Sequence, residues 1–298
     1  MVKINLYIYK MKLLELFSGT HSIGKVCEDM NIDVVSLDRD LPEYDKSDKE
    51  RKYKSKHHIK SCLLEWDYKN DFKEGDFDII TASPSCFYWS QLRKCWYNAY
   101  YDVENMKFSR TKKDGYIKFT EKELQDDIDK YGKPQVDKVI EILEYFKPKY
   151  YWIENPKGSS MKDYLYEKGY TNDNLVSYCK YGFPYQKHTR FWTNIPNFKG
   201  NVCKNDCEFI IDVNKKKQHD KILGNGYEII DGVKTLCNTK ELREKKRLLH
   251  KANCGNTERI QAVKKHNKNN NDIVGGTNRL ERYRIPPKLI KELLQLCV

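Results

Sequence analysis

Cys86 is the residue whose type and setting first suggest chemistry in this sequence. It follows residues 77–82, FDIITA, a short apolar run that predicts a buried strand closed by Ser83 and Pro84. A thiol at the point where a strand of an α/β sheet runs into a loop lies where such folds place their reactive groups. Taken alone, Cys86 is better explained as an ordinary buried thiol, since unpaired cysteines are often buried.

Glu154 stands in a similar setting further along the chain. Residues 149–153, KYYWI, predict a second strand, which ends in Glu154-Asn155-Pro156. A glutamate at the end of a strand is usually exposed and without function, so its meaning depends on what lies beside it.

A third pattern predicts a nucleotide-like ligand near the N-terminus. Residues 12–17 predict a strand, Ser18-Gly19-Thr20 a turn, residues 22–30 a helix, and residues 33–37 a strand that ends on Asp38. A glycine turn lets a ligand approach backbone N–H groups at the start of a helix, while the carboxylate can bind ribose hydroxyls. As a bare pattern this unit could serve several nucleotides.

Composition limits the class of protein. The chain has 298 residues, enough for one large domain or a domain with a smaller appendage, and a net charge of +12 with a pI near 9.0 favours an anionic partner such as nucleic acid. The lysine runs are also explained by a solvated surface.

A mean hydropathy of −0.84, without an apolar run of membrane-spanning length or a signal peptide, predicts a soluble protein that does not bind membranes. Ten irregularly spaced cysteines predict reduced thiols in a cytoplasmic setting. Met11 is an alternative start, which would make the first ten residues an extension or an added edge strand.

Six short segments, taken in order, resemble the motifs of the DNA (cytosine-5) methyltransferases. They are LELFSGTHSIG, VVSLDRD, Pro84-Ser85-Cys86, Glu154-Asn155, Tyr181-Gly182-Phe183-Pro184 and Pro286-Pro287. The resemblance covers most of the chain and implies a Rossmann-like fold that uses S-adenosylmethionine, a mostly parallel sheet with helices on both faces. The chain looks like a divergent, phage- or giant-virus-like member.

The resemblance implies a cofactor site at the first glycine turn and at the neighbouring strand ends. The implied cofactor-binding residues are Phe17, Ser18, Gly19, Thr20, Asp38, Asp67 and Pro84. Asp38 would bind the ribose. Asp67 would lie near the adenine, although an acidic loop residue such as this is usually only solvated. His21 stands where the family usually has a second glycine, a departure that bears on the geometry of the turn.

The resemblance also implies a mechanism. The thiolate of Cys86 would add to carbon 6 of a cytosine flipped out of the duplex, Glu154 would stabilise the ring during attack, and Lys187 or Arg190 would hold the base's carbonyl or a phosphate. The family's Gln-x-Arg-x-Arg segment is replaced here, with Tyr185, Lys187 and Thr189 at its three fixed positions. Ser85 replaces a proline, which predicts a less restrained loop.

Residues 91–132 predict a long loop that is either functional or an ordinary surface insertion. In the family, the segment after the cysteine closes over DNA. By that resemblance phosphate contacts are expected from Arg93, Lys94, Arg110, Lys112 and Lys113, and stacking on displaced bases from Trp96, Tyr97 and Tyr100.

The expected domains are a catalytic domain, residues 1–195 and 277–298, and a small target-recognition region, residues 196–276. The latter contains possible zinc ligands, namely Cys203, Cys207, His219, Cys237, His250 and Cys254. Their spacing is irregular and no Cys-x-x-Cys pair occurs, so ordinary thiols and no metal are expected.

The function that these patterns favour is methyl transfer to cytosine in double-stranded DNA, by a monomer in the cytoplasm of a prokaryote or a virus-infected host cell. Three alternatives stay open: an RNA (tRNA) cytosine-5 methyltransferase of the same fold, a DNA-binding protein that has lost catalysis, and a cysteine-dependent enzyme acting on free cytidylate. Neither the recognised DNA sequence nor a partner nuclease can be identified from these residues.

Overall fold

A computed structural model of the chain describes residues 10–39, 57–105, 107–213, 216–219, 227–230, 233–236 and 283–297. Residues 1–9 of the expected N-terminal extension, and the side chains of Cys237, His250 and Cys254, lie outside the described residues. No helix in the described ranges is long and apolar enough to cross a membrane.

The core of the molecule is a seven-stranded sheet in the order β3-β2-β1-β4-β8-β10-β9. The first four strands in the chain pair in parallel with their sheet neighbours, as do β4 and β8, whereas β10 runs antiparallel to β8. The strands are β1 (Lys12–Leu16), β2 (Asp33–Asp38), β3 (His57–Lys60), β4 (Ile79–Ala82), β8 (Tyr150–Pro156), β9 (Asp173–Ser177) and β10 (His188–Thr193). The predicted strands are therefore confirmed to within a few residues.

Helices cover both faces of this sheet. On one face the apolar side chains of β1, β2 and β4 join a core cluster with α5 (Lys133–Phe146), whose Val136, Val139 and Phe146 are fully buried. On the other face Glu15 of β1 contacts the start of α1 (Ser22–Asp29), and α1 packs against α7 (Pro287–Gln295). The predicted Rossmann-like α/β class is confirmed by this arrangement. The shorter helices are α2 (Tyr68–Asp71), α3 (Cys86–Trp89), α4 (Glu121–Asp127) and α6 (Met161–Glu167).

The segment that was expected to be a long loop is instead built from regular structure. A 3-10 helix, Gln91–Trp96, leads into a small antiparallel sheet of β5 (Tyr100–Asp102), β6 (Lys107–Ser109) and β7 (Ile117–Lys118). α4 and a π-helical turn, Ile128–Gly132, then lead into α5. The expectation of a structureless loop was wrong because its aromatic residues pack against one another, with Phe119 fully buried.

The chain divides into two compact units, and the expected catalytic and target-recognition domains stay a prediction. One comprises residues 1–176, 188–200 and 287–298, and the other residues 177–187 and 201–286. In the second unit two antiparallel hairpins are described, β11 (Ile210–Val213) with β12 (Lys216–His219), and β13 (Tyr227–Ile230) with β14 (Val233–Leu236). Its role in target recognition stays a prediction.

Candidate active site

The candidate residues meet because four parallel strands end at one edge of the sheet. β1, β2, β4 and β8 are neighbours with the same direction. The glycine turn and Cys86 follow the carboxyl ends of β1 and β4, Asp38 is the last residue of β2, and Glu154 lies near the end of β8. This edge is where open α/β sheets bind ligands. The spacing of these residues in the sequence did not place them together; the strand order does.

The turn after β1 is tied to the end of β2. The backbone N–H of Gly19 donates to Oδ2 of Asp38 at 2.9 Å, and that of Ser18 donates to the carbonyl of Leu37 at 3.0 Å. Gly19 has a φ of +45°, a left-handed conformation that favours glycine. Asp38 is therefore held against the turn, and its contact with a cofactor stays a prediction.

His21 takes a left-handed conformation, φ 51° and ψ 35°, immediately before α1. This explains why a glycine is usual at the position, since a side chain there costs roughly 1 kcal/mol. The histidine is accommodated because its ring is buried, 4.9 Å from the ring of His58 and with Nδ1 4.0 Å from a carboxylate oxygen of Glu15. The histidine is therefore held in the left-handed conformation that glycine adopts readily.

Glu15 is a site residue that the sequence analysis missed. Its carboxyl group is buried behind the turn, where the hydroxyl of Ser36 donates to it at 2.7 Å and the N–H of Ile23 at 3.3 Å. Burial raises the pKa of Glu15 to about 7, against the opposing effect of the Ser36 hydrogen bond. A signal was present, because an acid in the middle of the apolar strand KLLEL is unusual in a core.

Asp67 differs from the other cofactor candidates in its setting. It is exposed at the start of α2, where its carboxylate accepts a hydrogen bond from the side chain of Asn70 at 2.7 Å. Its contact with a cofactor stays a prediction.

The loop that carries Cys86 is anchored on its N-terminal side by two hydrogen bonds. Asn155 is fully buried and donates from Nδ2 to the carbonyl of Pro84 at 2.8 Å. Ser85 donates its N–H to the side-chain oxygen of Gln135 in α5 at 3.2 Å. Its φ of −53° is one that proline also adopts, and Ser85 makes here a hydrogen bond that proline could not make. The expected freedom of this loop is thereby reduced.

A second set of contacts fastens this loop to the turn after Glu154. Cys86 is half-buried and is the first residue of α3. Beyond α3, Ser90 forms a bridge with Ser159, the N–H of Gln91 donates to Gly158 at 3.1 Å, and the N–H of Ser160 donates to Trp89 at 2.9 Å. The segment that contains Cys86 and the segment that contains Glu154 are thus joined by hydrogen bonds both before Cys86 and after α3.

Glu154 lies near the end of β8 and is only 7% exposed. It pairs across the sheet with Phe191, whereas Asn155 pairs with Arg190. Because side chains alternate along a strand, Glu154 and Arg190 project from opposite faces of the sheet.

Arg190 is engaged elsewhere. Its guanidinium forms an ion pair with Asp173 of β9, which also accepts from the hydroxyl of Tyr166. This ion pair and the opposite sheet face favour a structural role for Arg190 over contact with the base. The ammonium of Lys187 lies 4.7 Å above the ring of Tyr178, and its role in catalysis stays a prediction.

The structure corrects the assignment of Arg93 to DNA. Its side chain is 5% exposed, it forms an ion pair with Asp127, and its guanidinium lies 4.4 Å from the ring centre of Phe87 and 5.0 Å from that of Phe119. A guanidinium that is enclosed in this way cannot reach a phosphate. Lys94 is exposed, and its contact with DNA stays a prediction.

Two other residues expected to contact DNA, Arg110 and Trp96, instead make contacts within residues 91–132. Arg110 is exposed but lies 4.7 Å above the ring of Trp96 and donates to the carbonyl of Cys95 at 3.3 Å. Trp96 also stacks on Phe108, with ring centres 5.1 Å apart. For Trp96 to stack on a displaced base, its ring would have to leave Arg110 or Phe108.

Three of the cysteines and one histidine lie together, although ordinary separate thiols were expected. In the described part of the chain, the ligand atoms of Cys179, Cys203, Cys207 and His219 all lie within 4.8 Å of one another. The sequence analysis considered three of these residues, and Cys179 was missed because it lies 24 positions before Cys203.

Comparisons with known proteins agree with the motifs. The chain is 28% identical over 294 residues to a protein of Frog virus 3 named "Probable DNA (cytosine-5)-methyltransferase", a match that covers 96% of this chain and all of the relative. No family model matches the chain. The predicted resemblance to the cytosine-5 methyltransferase family, in a virus-like form, is confirmed by this full-length relative.

Solved structures of methyltransferases are also similar to the chain. A DNMT2 mutant from Spodoptera frugiperda matches with a TM-score of 0.42 and 13% identity, covering 97% of this chain and 99% of that one. EhMeth, a methyltransferase from Entamoeba histolytica, matches with a TM-score of 0.41 and 17% identity, covering 65% of this chain and 56% of that one.

Proposed function

We propose that this relative of the cytosine-5 methyltransferases transfers a methyl group from S-adenosylmethionine to carbon 5 of a flipped-out cytosine in double-stranded DNA. The main observation behind the proposal is that the Cys86 loop is hydrogen-bonded to the turn after Glu154. Both lie at the edge of the sheet where the glycine turn and Asp38 are also found. The Frog virus 3 relative and the net charge of +12 support DNA as the substrate.

The residues at the glycine turn fit S-adenosylmethionine. Ser18 has a buried hydroxyl that makes no hydrogen bond with the described residues, and the left-handed Gly19 lets a ligand come close to the backbone. Asp38, at the end of β2, would bind ribose hydroxyls. When bound, the cofactor supplies an electrophilic methyl group from its sulfonium.

Cys86 has the central role in the proposed chemistry. Carbon 5 of cytosine is a weak nucleophile, and a thiolate that forms a bond to carbon 6 makes carbon 5 enamine-like. Glu154 hydrogen-bonds to the ring nitrogen and stabilises the charge that develops on the ring during this attack. After carbon 5 has taken the methyl group, its proton passes to a base from solvent and the bond from carbon 6 to sulfur breaks. This restores the double bond of the ring and returns the electron pair to the thiolate of Cys86. Because carbon 6 is inaccessible inside a duplex, the base must first be flipped out.

A trapping experiment tests the nucleophile. DNA that contains 5-fluorocytosine, incubated with the protein and S-adenosylmethionine, should form a covalent complex that survives denaturation, since the fluorine cannot leave as a proton would. Cys86→Ser should form none. Cys95→Ser is the matched control, because Cys95 is an exposed thiol that follows Cys86 in the chain, and it should trap as well as the natural protein.

The same assay separates the alternatives. Trapping on tRNA, with none on any DNA, would replace the DNA proposal by the RNA one. Absence of trapping on both, with binding to DNA retained, would identify a protein that has lost catalysis. Glu154→Gln should lower the rate of methyl transfer roughly 100-fold or more without weakening cofactor binding, and an unchanged rate would refute the role of Glu154.

A further inference from the structure

Three cysteines and a histidine converge within the second compact unit. Cys179 lies in a 3-10 turn, Tyr178–Tyr181, Cys203 and Cys207 lie in the loop before β11, and His219 ends β12. Cys179, Cys203 and His219 are buried, with exposed fractions of 1%, 5% and 7%. Residues from three separate segments have therefore been brought to one point, and none of the three cysteines is in a disulfide.

The distances suit tetrahedral coordination of one ion. Zinc bonds of about 2.3 Å to sulfur and about 2.0 Å to nitrogen, at tetrahedral angles, place two sulfurs about 3.8 Å apart and a sulfur about 3.5 Å from a nitrogen. Sγ of Cys203 lies 3.5 Å from Nε2 of His219, and all four ligand atoms lie within 4.8 Å of one another. Small side-chain adjustments would bring all four to bonding distance.

The loop from Cys203 to Cys207 also directs backbone N–H groups at the sulfurs. The N–H groups of Asn205 and Asp206 donate to the sulfur of Cys203, and that of Phe209 donates to the sulfur of Cys207. Donors of this kind orient the ligand sulfurs toward a shared point. Asn205 has a φ of 62°, a left-handed conformation through which this tight loop turns.

Outer contacts hold the ligand-bearing segments in place. Lys180, the neighbour of Cys179, forms a salt bridge with Asp206 at 2.8 Å and also donates to the Asp206 carbonyl at 3.2 Å. The N–H of Cys203 donates to the hydroxyl of Ser177 at 2.9 Å. The turn that carries Cys179 and the loop that carries Cys203 are thus fixed to each other by groups that are not themselves ligands.

We propose that Cys179, Cys203, Cys207 and His219 bind a structural zinc ion that fastens the β11–β12 hairpin to the Tyr178–Tyr181 turn. Three thiolates and one imidazole are a ligand set typical of structural zinc. Four protein ligands fill the tetrahedron and leave no position for a water or a substrate, so the site is structural and takes no part in methyl transfer. On binding, the three cysteine thiols give up their protons to solvent, and the sulfurs and the imidazole nitrogen share electron pairs with the ion.

Metal analysis of the full-length protein tests the proposal directly. Protein prepared without chelators should contain about one zinc per chain, and binding of zinc to metal-free protein should release protons in proportion to the thiols that coordinate it. Replacement of zinc by cobalt(II) should give the intense visible bands of a tetrahedral site together with a thiolate charge-transfer band.

Variants assign the ligands. Cys207→Ser and His219→Ala should each lose most of the bound zinc, whereas Cys62→Ser and Cys95→Ser, which change cysteines of the first unit, should keep it. These readouts do not depend on activity, so they remain valid whether or not methyl transfer is observed. Natural protein that binds zinc at well below one ion per chain, even after refolding with excess zinc, would overturn the proposal, as would a cobalt spectrum of a site rich in oxygen ligands.

Discussion

The buried carboxyl group of Glu15 makes the stability of the protein depend on pH. Its side chain is enclosed behind the glycine turn, with the hydroxyl of Ser36 and the N–H of Ile23 as donors, and the nearby carboxylate of Asp38 adds to the effect of burial in raising its pKa. The pKa of Glu15 rises from 4.5 to about 7 on folding. The folded protein therefore holds the proton more tightly than the unfolded chain does.

The sign of the dependence follows from this difference. Glu15 stabilises the fold below about pH 4.5, and this contribution is lost as the pH rises through about 7, because the unfolded chain releases the proton first. Between about pH 5 and about pH 8 the loss amounts to about 2.5 kcal/mol in the free energy of unfolding. Glu15→Gln stays neutral throughout and should not show this component.

Urea unfolding of both proteins at several pH values measures the effect. The difference in unfolding free energy between Glu15→Gln and the natural protein should change by about 2.5 kcal/mol in favour of the variant from about pH 5 to about pH 8. Glu28→Gln, which changes an exposed acid of α1, is the control and should change by only a few tenths of a kcal/mol. A constant difference across this range for Glu15→Gln would refute the argument that burial keeps this carboxyl group protonated.

Two further predictions concern the segments around Cys86, the proposed nucleophile. Arg93→Met leaves Asp127 buried without its cation and should destabilise the protein by about 3–5 kcal/mol in urea unfolding. Lys94→Met should change stability by less than about 0.5 kcal/mol and should weaken DNA binding. If Arg93→Met instead weakens DNA binding and leaves stability unchanged, Arg93 is a DNA contact after all. Asn155→Ala removes the hydrogen bond to Pro84 and should lower kcat roughly 10- to 100-fold with the affinity for S-adenosylmethionine unchanged, and a kcat equal to that of the natural protein would show that the bond does not position the loop.

The strands and the residues at their ends could be predicted because their signals are local. The apolar runs before Ser18, Cys86 and Glu154 each define a strand and the point at which it ends, and the parallel α/β class then brings those ends to one edge. The sequence shows that His21 and Ser85 differ from the family's usual glycine and proline, but not what these differences do to the backbone. Their meaning depends on backbone angles and on Gln135, which lies 50 residues away from Ser85.

What could not be predicted depends on contacts between distant segments. Arg93 looks like any basic surface residue until Phe87, Phe119 and Asp127 enclose it. Cys179 has no cysteine at a zinc-binding spacing, so only the fold brings it to Cys203. In both cases the sequence contains the chemical groups, but their function is decided by a packing arrangement that has no local pattern.

The hydrogen bond from Ser85 to Gln135 has a consequence for how the reaction responds to temperature. A proline restrains a loop by entropy, through a ring that limits the unfolded chain as well, and this restraint persists on warming. A hydrogen bond at 3.2 Å restrains the same backbone by enthalpy, and it is lost whenever the two groups separate. The order of the loop before Cys86 should therefore decline with rising temperature well before the sheet unfolds, so that the rate of methyl transfer reaches its maximum below the melting temperature. Ser85→Pro, which fits the observed φ of −53°, should move that maximum upwards.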